Sequence, residues 1–251
     1  MKLIRGGALL IGLLGVAGVT QAGVTSTWTI ANDYDFRGNT QSAKDPALQA
    51  SLDYAHASGW YAGAWASNID FGIDESAGIL KDPGLELDLY SGFTKTTESG
   101  YTWDAGLVYY TYPDESDFNY FEVYGSIAKG WFKGKLWYSP KFGGSAAEDL
   151  AQSLVGKNDV SAWYVEGNAT IPLPQNFSVA LHLGYSDGDY WDNAFGDKQL
   201  DYSVGVGYTY KKFNIAVKWV DTDSDVVVKS DAFNNEGRVI ATVATTFPWG
   251  E

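Results

Sequence analysis

The chain of 251 residues contains no cysteine, only 2 histidines and far fewer bases than acids. The lack of cysteine excludes disulfides, thiolate metal sites and cysteine nucleophiles. With 17 Lys and Arg against 31 Asp and Glu, the chain lacks the basic surface that nucleic-acid binding requires, so we expect no nucleic-acid partner. Aromatic residues make up 16% of the chain, and 29 residues are glycine. That composition favours one large all-β domain.

Long hydrophobic runs are missing after the first 22 residues. Residues 1–22 are typical of a signal peptide, with Lys2 and Arg5 at the start, an apolar and glycine run over 8–19, and small residues around Ala22. That run is too short to span a bilayer comfortably, although a retained anchor is the alternative. Any membrane role of residues 23–251 would therefore need a β-barrel, because only helices and closed barrels satisfy the backbone in lipid.

Alternating segments of about ten residues recur along the rest of the chain, and this length suits a tilted strand that crosses a bilayer. We predict twelve strands, near 24–36, 47–56, 60–70, 85–95, 101–112, 118–128, 131–139, 160–171, 177–186, 200–210, 213–220 and 238–247. All seven prolines fall at strand ends or in connections, which alternate between short and long. The pattern predicts an all-β, transmembrane, antiparallel up-and-down barrel with short periplasmic turns and longer extracellular loops. A soluble sandwich or lipocalin-like barrel shows the same alternation and is the alternative.

Aromatic side chains cluster near the predicted membrane boundaries, as expected of girdles at the two interfaces. The predicted girdle residues are Trp60, Tyr61, Trp103, Tyr109, Trp131, Trp163, Tyr208, Phe213 and Phe247. The last strand ends in Phe247 and resembles the recognition signal of outer-membrane barrels, although residues 248–251 follow it. We therefore expect an outer-membrane location, the barrel assembly machinery as a partner, and lipid with lipopolysaccharide as the surroundings.

Several stretches of the first half resemble the TorF-type porin family. They are Asp33 to Gly38 (DYDFRG), Gln41-Ser42, residues 46–49 (PALQ), Asp53-Tyr54, residues 59–71 (GWYAGAWASNIDF), residues 84–93 (GLELDLYSGF) and residues 101–113 (YTWDAGLVYYTYP). The resemblance is strongest over 24–140 and continues mainly as a strand pattern to 247. It implies an outer-membrane location and a porin role, without naming a solute.

Strand alternation places a set of charged side chains inside the predicted barrel. The inward acids are Asp33, Asp35, Asp53, Glu86, Asp88, Asp104, Glu122, Glu166 and Asp201; the inward bases are Arg37, Lys133, Lys135, Lys218 and Arg238; His182 also faces inward. Twelve strands enclose a backbone radius of about 12 Å, enough for a narrow water-filled pore. The excess of acids predicts a modest preference for cations, or else a salt-bridge network that only holds the fold.

The longest loop, 140–159, is the segment that we expect to fold inward as a constriction, with a short helix over 146–155; a solvated outer loop is the alternative. A hydrolase is disfavoured, because no nucleophile motif accompanies His182. The acidic stretch 221–225 lacks the Gly and Glu of a calcium loop, so no defined metal site or cofactor is expected. Weak binding of divalent ions by the acidic loops is the alternative. The leading hypothesis is passive diffusion of small polar or ionic solutes. A non-conducting structural or surface-interaction barrel is the second.

Overall fold

The computed structural model describes residues 23–73, 80–223 and 234–249. The predicted signal peptide, 1–22, and residues 224–225 of the acidic stretch 221–225 lie outside the described residues. Twelve long antiparallel strands form one closed barrel, in which each strand pairs with its neighbours in sequence and the last strand pairs with the first. The predicted fold class and strand number are therefore confirmed.

The strand bounds follow the predicted segments closely. The barrel strands are β1 (Gly23–Ala31), β4 (Ala47–Ala55), β5 (Trp60–Asn68), β6 (Leu85–Thr96), β7 (Tyr101–Thr111), β8 (Tyr120–Lys129), β9 (Phe132–Ser139), β10 (Ala162–Pro172), β11 (Phe177–Asp187), β12 (Gln199–Tyr210), β13 (Phe213–Thr222) and β14 (Arg238–Phe247). Two short strands, β2 (Asp35–Phe36) and β3 (Asn39–Thr40), form a separate hairpin.

Alternation along each strand separates an apolar outside from a polar inside. In β6, Leu89 is 49% exposed on the outer surface, whereas its neighbours Asp88 and Tyr90 are buried. Successive strand side chains point to opposite faces, so a shift of one residue would exchange the two environments. Exposed Leu, Val, Ile and aromatic side chains cover the outside of the barrel. An apolar surface this continuous is stable only against lipid or another apolar partner.

Connections at one end of the barrel are tight, and those at the other end are long. We call these the short-turn end and the long-loop end. Gly59 in the first tight turn has φ +98°, and its N–H donates to the carbonyl of His56 at 3.0 Å. A side chain there would also collide with the carbonyl of Thr94. Glycine is therefore required for this reversal.

The first strand is shorter than predicted, and this corrects the assignment of residues 32–36. β1 ends at Ala31, after which residues 32–46, the inner hairpin, turn into the barrel. Arg37 (φ +52°) and Gly38 (φ +85°) form the bend at its tip. Residues 33–36 alternate as a strand would, so local periodicity could not distinguish an inward hairpin from a continued barrel strand.

Helix α1 (Gly144–Val155) confirms the helix predicted near 146–155. α1 packs at the long-loop end against the short helical turns Ser116–Phe118 and Trp191–Phe195, and Phe142 of the same loop contacts Tyr120 of β8. Ala147 and Ala151 of α1 are buried. The constriction of the lumen by this loop stays a prediction. The inner hairpin does fold inward. No described helix is long and apolar enough to cross a membrane.

Candidate functional site: the barrel interior

Aromatic side chains fill the interior of the long-loop half on the side of β5–β8. Tyr110 stacks on Tyr120 with ring centroids 4.6 Å apart, and Tyr34 of the inner hairpin meets Trp65 at 5.4 Å. Three carboxylates are buried among these rings: Glu86, Asp88 and Glu122. Neither carboxylate oxygen of Asp88 receives a hydrogen bond from any described donor. This half of the interior is a packed core.

Arg37, at the tip of the inner hairpin, inserts into this core. Its Nη2 lies 2.7 Å from Oε2 of Glu122, and only 8% and 1% of the two side chains are exposed. The guanidinium carbon also lies 4.3 Å from the ring centroid of Tyr164 and 4.7 Å from that of Phe36. Burial alone would lower the pKa of Arg37, but the Glu122 carboxylate raises it above its ordinary value. The ion pair between Arg37 and Glu122 holds the hairpin in place.

A second ionic cluster fixes the opposite side of the hairpin to β13 and β14. Arg238 contacts both Asp33 and Asp35, the latter at 3.0 Å, and Lys218 Nζ lies 2.6 Å from Asp35. Burial would raise the pKa of Asp35, but the charges of Lys218 and Arg238 outweigh it and lower the pKa below its ordinary value. Asp35 is therefore a carboxylate that bridges two basic side chains of the barrel wall.

The backbone of the hairpin tip lies directly on the wall. Gln199 Nε2 donates to the carbonyl of Arg37 at 2.6 Å, and Arg238 Nη1 donates to the carbonyl of Gly38 at 2.7 Å. A Cβ at Gly38 would lie 3.0 Å from Cβ of Asp201 and still closer to Thr222. Only glycine permits both the positive φ and this close approach.

A cavity of about 710 Å³ lies beneath the inner hairpin. Asp35, Phe36 and Arg37 line it on the hairpin side, and it reaches the short-turn rim at Gly23 and Ala55. One wall consists largely of threonine side chains from β1 and β14: Thr25, Thr27, Thr29, Thr242 and Thr246. Hydroxyl groups and charges on the remaining walls give a surface suited to water and polar solutes.

His182 is the centre of a hydrogen-bonded network on the cavity wall. Its Nε2 lies 2.7 Å from Oδ1 of Asp201, and its Nδ1 lies 2.8 Å from Oδ1 of Asn168. The amide nitrogen of Asn168 donates to Glu166 at 2.8 Å, which orients the amide oxygen toward the histidine. Both ring nitrogens therefore face acceptors, an arrangement that an imidazolium satisfies. Tyr164 completes the network, with its hydroxyl 3.1 Å from Asp201.

Outside the aromatic core, four inward charges have no ionic partner within 4 Å among the described residues. Asp53 accepts hydrogen bonds from Ser51 and Tyr90, and Asp104 accepts one from Tyr61 at 2.7 Å. On β9, Lys133 lines the cavity, and Lys135 is buried without a hydrogen-bond acceptor. The acids lie on β4 and β7 and the bases on β9, and Asp104 and Lys135 lie in one row on either side of Ser126 of β8.

All fifteen residues predicted to face inward do point into the barrel. Asp33, Asp35 and Arg37 do so from the inner hairpin rather than from a strand. Glu86, Asp88 and Glu122 are sealed in the aromatic core, and Lys218 and Arg238 are paired with the hairpin. Six of the remaining ones line the cavity: Asp53, Lys133, Lys135, Glu166, His182 and Asp201. Asp104 contacts the cavity-lining Tyr61.

Eight of the nine predicted girdle residues point outward, and Tyr61 does not. Tyr61 is 1% exposed, and its hydroxyl contacts Asp104 and Tyr124 inside the barrel. Its assignment to the girdle is therefore wrong. Its neighbour Trp60 is 45% exposed, so strict alternation from Trp60 would have placed Tyr61 inside. The outward eight are Trp60, Trp103, Tyr109, Trp131, Trp163, Tyr208, Phe213 and Phe247.

Sequence reasoning missed the aromatic and amide side chains that organise the interior. Tyr164, Asn168 and Gln199 each bridge two or more elements, yet none carries a charge that would have marked it. Strand alternation was the available signal. Tyr164 and Asn168 lie on the same face of β10 as Glu166, and Gln199 lies on the same face of β12 as Asp201. Their partners depend on the hairpin and the barrel closure, which no local pattern encodes.

A closed twelve-stranded barrel with an apolar outside and an internal cavity has the architecture of porin-like β-barrels. The sequence family described as "Bacterial protein of unknown function (Gcw_chp)" matches residues 17–247. The chain belongs to this family. No protein of curated function matches the sequence.

Among solved structures, the barrel is similar to small porins. A structure of the KdgM porin matches with a TM-score of 0.53 at 10% identity, covering 90% of this chain and 99% of that one. The NanC porin matches with a TM-score of 0.54 at 8% identity, covering 90% of this chain and 100% of that one. A further match, with a TM-score of 0.51, is described as the KdgM porin in complex with disordered oligogalacturonate. At such low identity the likeness establishes the fold.

Proposed function

We propose that this protein is an outer-membrane channel for the passive diffusion of small polar or ionic solutes. The observation that carries the proposal is a cavity of about 710 Å³, lined in part by threonine hydroxyls and charged side chains, inside a barrel with an apolar outside. The fold of the KdgM and NanC porins supports the same class of protein. In this proposal residues 1–22 direct export, and the short-turn end faces the periplasm.

The selectivity of the channel follows from the charges that remain free, rather than from the total count of acids. Glu86, Asp88 and Glu122 lie in the packed core, away from the cavity. Asp33 and Asp35 are neutralised by Arg238 and Lys218. Two free acids and two free bases are left, so we now expect weak overall selectivity in place of the modest cation preference that the sequence predicted.

Single-channel recording tests the proposal. Protein comprising residues 23–251, refolded and reconstituted in planar bilayers, is expected to produce discrete conductance steps. Heat-modifiable gel mobility serves as the control for folding, because a closed barrel migrates differently before and after boiling. A folded barrel that stays silent, both as wild type and with both ion-pair clusters of the inner hairpin weakened by Arg37→Ala together with Arg238→Ala, would contradict the channel function.

A barrel that does not conduct is the second candidate, and the inner hairpin favours it. Its ion pairs with Glu122, Lys218 and Arg238 place a folded segment across the outer half of the lumen. The same recordings separate the two candidates. Conductance in the wild type, or its appearance when the hairpin is released, supports a channel; silence in both supports a structural or surface-interaction barrel anchored among lipid and lipopolysaccharide.

A further inference from the structure

The most unusual charge inside the barrel is Lys135. The residue is 4% exposed, and its ammonium group has no hydrogen-bond acceptor among the described residues. It lies between the rings of Tyr124 and Trp137, with Nζ 3.6 Å and 3.5 Å from the two ring centroids. Ring faces attract the cation but replace only part of its hydration. A buried ammonium without an anion is destabilising, so its presence needs an explanation.

The carboxylates nearest to Lys135 on its own sheet are already committed to other donors. Glu166 is opposite Lys135 on β10 but accepts from the indole of Trp137 at 2.9 Å and from Asn168 at 2.8 Å. Asp201 holds His182 and Tyr164. No described carboxylate lies within 4 Å of the Lys135 ammonium, although Glu166 and Asp104 both attract it from farther away.

A second free ammonium and the histidine network extend this charge along the cavity. Lys133 lies two residues before Lys135 on the same face of β9 and lines the cavity. Strand register places Lys133 beside Asn168, and Asn168 beside His182, in one row across β9, β10 and β11. With the imidazolium that its two acceptors favour, this wall carries three cationic groups against the carboxylates of Glu166 and Asp201. Lysine–lysine repulsion adds to the need for an external anion.

We infer that Lys133 and Lys135, with the Asn168–His182 row beside them, form a binding site for the carboxylate group of a solute inside the cavity. An incoming carboxylate would contact Lys133 first, since Lys133 is the less buried of the two. The positive charge of Lys135, deeper in the wall, would add to the attraction. The side chains of Trp137 and Tyr164 also line the cavity and offer apolar surface to the rest of the solute. The existence of this binding site does not depend on the proposed channel function; only its role in the passage of solutes rests on that function.

Calorimetric titration of the folded, detergent-solubilised protein with gluconate tests the site without any measurement of conductance. Sorbitol, a neutral polyol of similar size, is the control ligand. Gluconate is expected to bind and sorbitol to give no signal. Lys135→Met should weaken gluconate binding by about tenfold or more, and Lys133→Glu should abolish it. Lys95→Gln removes one exposed charge near the short-turn end and should leave binding unchanged.

Folding does not confound the result, because Lys135→Met replaces a buried charge with an apolar side chain of similar length, a change that barrels should tolerate. Heat-modifiable mobility checks each variant. Equal gluconate affinity in the wild type, Lys135→Met and Lys133→Glu would overturn the site, as would a folded wild type that binds no gluconate at millimolar concentration. Conductance without gluconate binding would contradict the carboxylate site but not the channel function. Gluconate binding without conductance would contradict the channel function but not the site.

Discussion

Charged side chains lie inside both halves of this barrel, but the two halves accommodate them differently. In the long-loop half, Glu122 and Arg37 are paired and packed among aromatic rings. In the short-turn half, Asp53 and Lys133 face an open cavity without an ionic partner. Breaking a buried ion pair leaves an uncompensated charge, whereas charges that line water need no partner. The comparison separates the part of the interior that supports the fold from the part that is available to a solute.

The strongest test of the packed half is to remove Arg37. Arg37→Ala leaves Glu122 buried with only Tyr110 as a donor, so the free energy of unfolding should fall by about 3–5 kcal/mol. Urea-induced unfolding in lipid vesicles measures the change. Lys141→Ala is the matched control, because it breaks an ion pair with Glu148 whose side chains are 42% and 32% exposed. It should cost no more than about 1 kcal/mol. Equal losses in the two variants would contradict the distinction.

A smaller loss of stability is expected when a methyl group is added to the hairpin tip, which lies against the barrel wall. Gly38→Ala adds a methyl group that meets Asp201 and Thr222 at a positive φ, which should destabilise the fold by about 1–3 kcal/mol. Gly130→Ala is the control, since Gly130 also has a positive φ (+61°) but nothing lies within 4 Å of the added atom. Its loss should be limited to about 1 kcal/mol of backbone strain. If both variants unfold at the same urea concentration, the hairpin does not contact the wall as described.

The docking of the hairpin should persist at mildly acidic pH and fail only in strong acid. The pKa of Asp35 is lowered in the folded protein, so the stability it contributes is present above its ordinary pKa of about 3.9 and is lost as the pH falls through the lowered value. Protease cleavage within residues 32–46 should therefore stay slow from pH 8 to pH 5 and increase only below about pH 4. An acid-stable protease such as pepsin covers the lower end. Release of the hairpin at pH 6 would show that Asp35 is not its anchor.

The smallest effect on stability is expected in the cavity half. Asp53→Asn keeps an acceptor for Tyr90 and Ser51 while removing a free charge, so the free energy of unfolding should change by less than about 1 kcal/mol. The reversal potential in a salt gradient should instead shift toward chloride. Asp88→Asn is the contrast, because Asp88 does not line the cavity and should leave the reversal potential unchanged. A shift of the reversal potential with Asp88→Asn but not with Asp53→Asn would contradict the assignment of the solute-accessible charges to the cavity half.

Sequence patterns predicted the barrel well because the alternation of strand side chains is local. The predicted strands agree with the observed ones within a few residues. Tyr61 is the exception on the outer surface: its position beside a tight turn suggested a girdle residue, but its alternation with the outward Trp60 places it inside. The interior was harder to predict. Residues 33–36 alternate like a strand, and only the distant Arg238, Lys218 and Glu122 make an inward hairpin more stable than a longer β1. Such pairing across the barrel depends on closure, which no short stretch of sequence reports.

The central claim is a cavity that opens at the short-turn end beneath a hairpin-filled outer half. Because the chain has no cysteine, Ser203→Cys places a single thiol on the cavity wall. A charged methanethiosulfonate reagent, added to either side of an oriented bilayer, reports access through the change in current or by mass spectrometry of the recovered protein. We expect fast reaction from the short-turn side, slow reaction from the long-loop side, and faster reaction from the long-loop side when Arg37→Ala is added. Equal rates from both sides in the Ser203→Cys protein, or faster reaction from the long-loop side, would contradict the account.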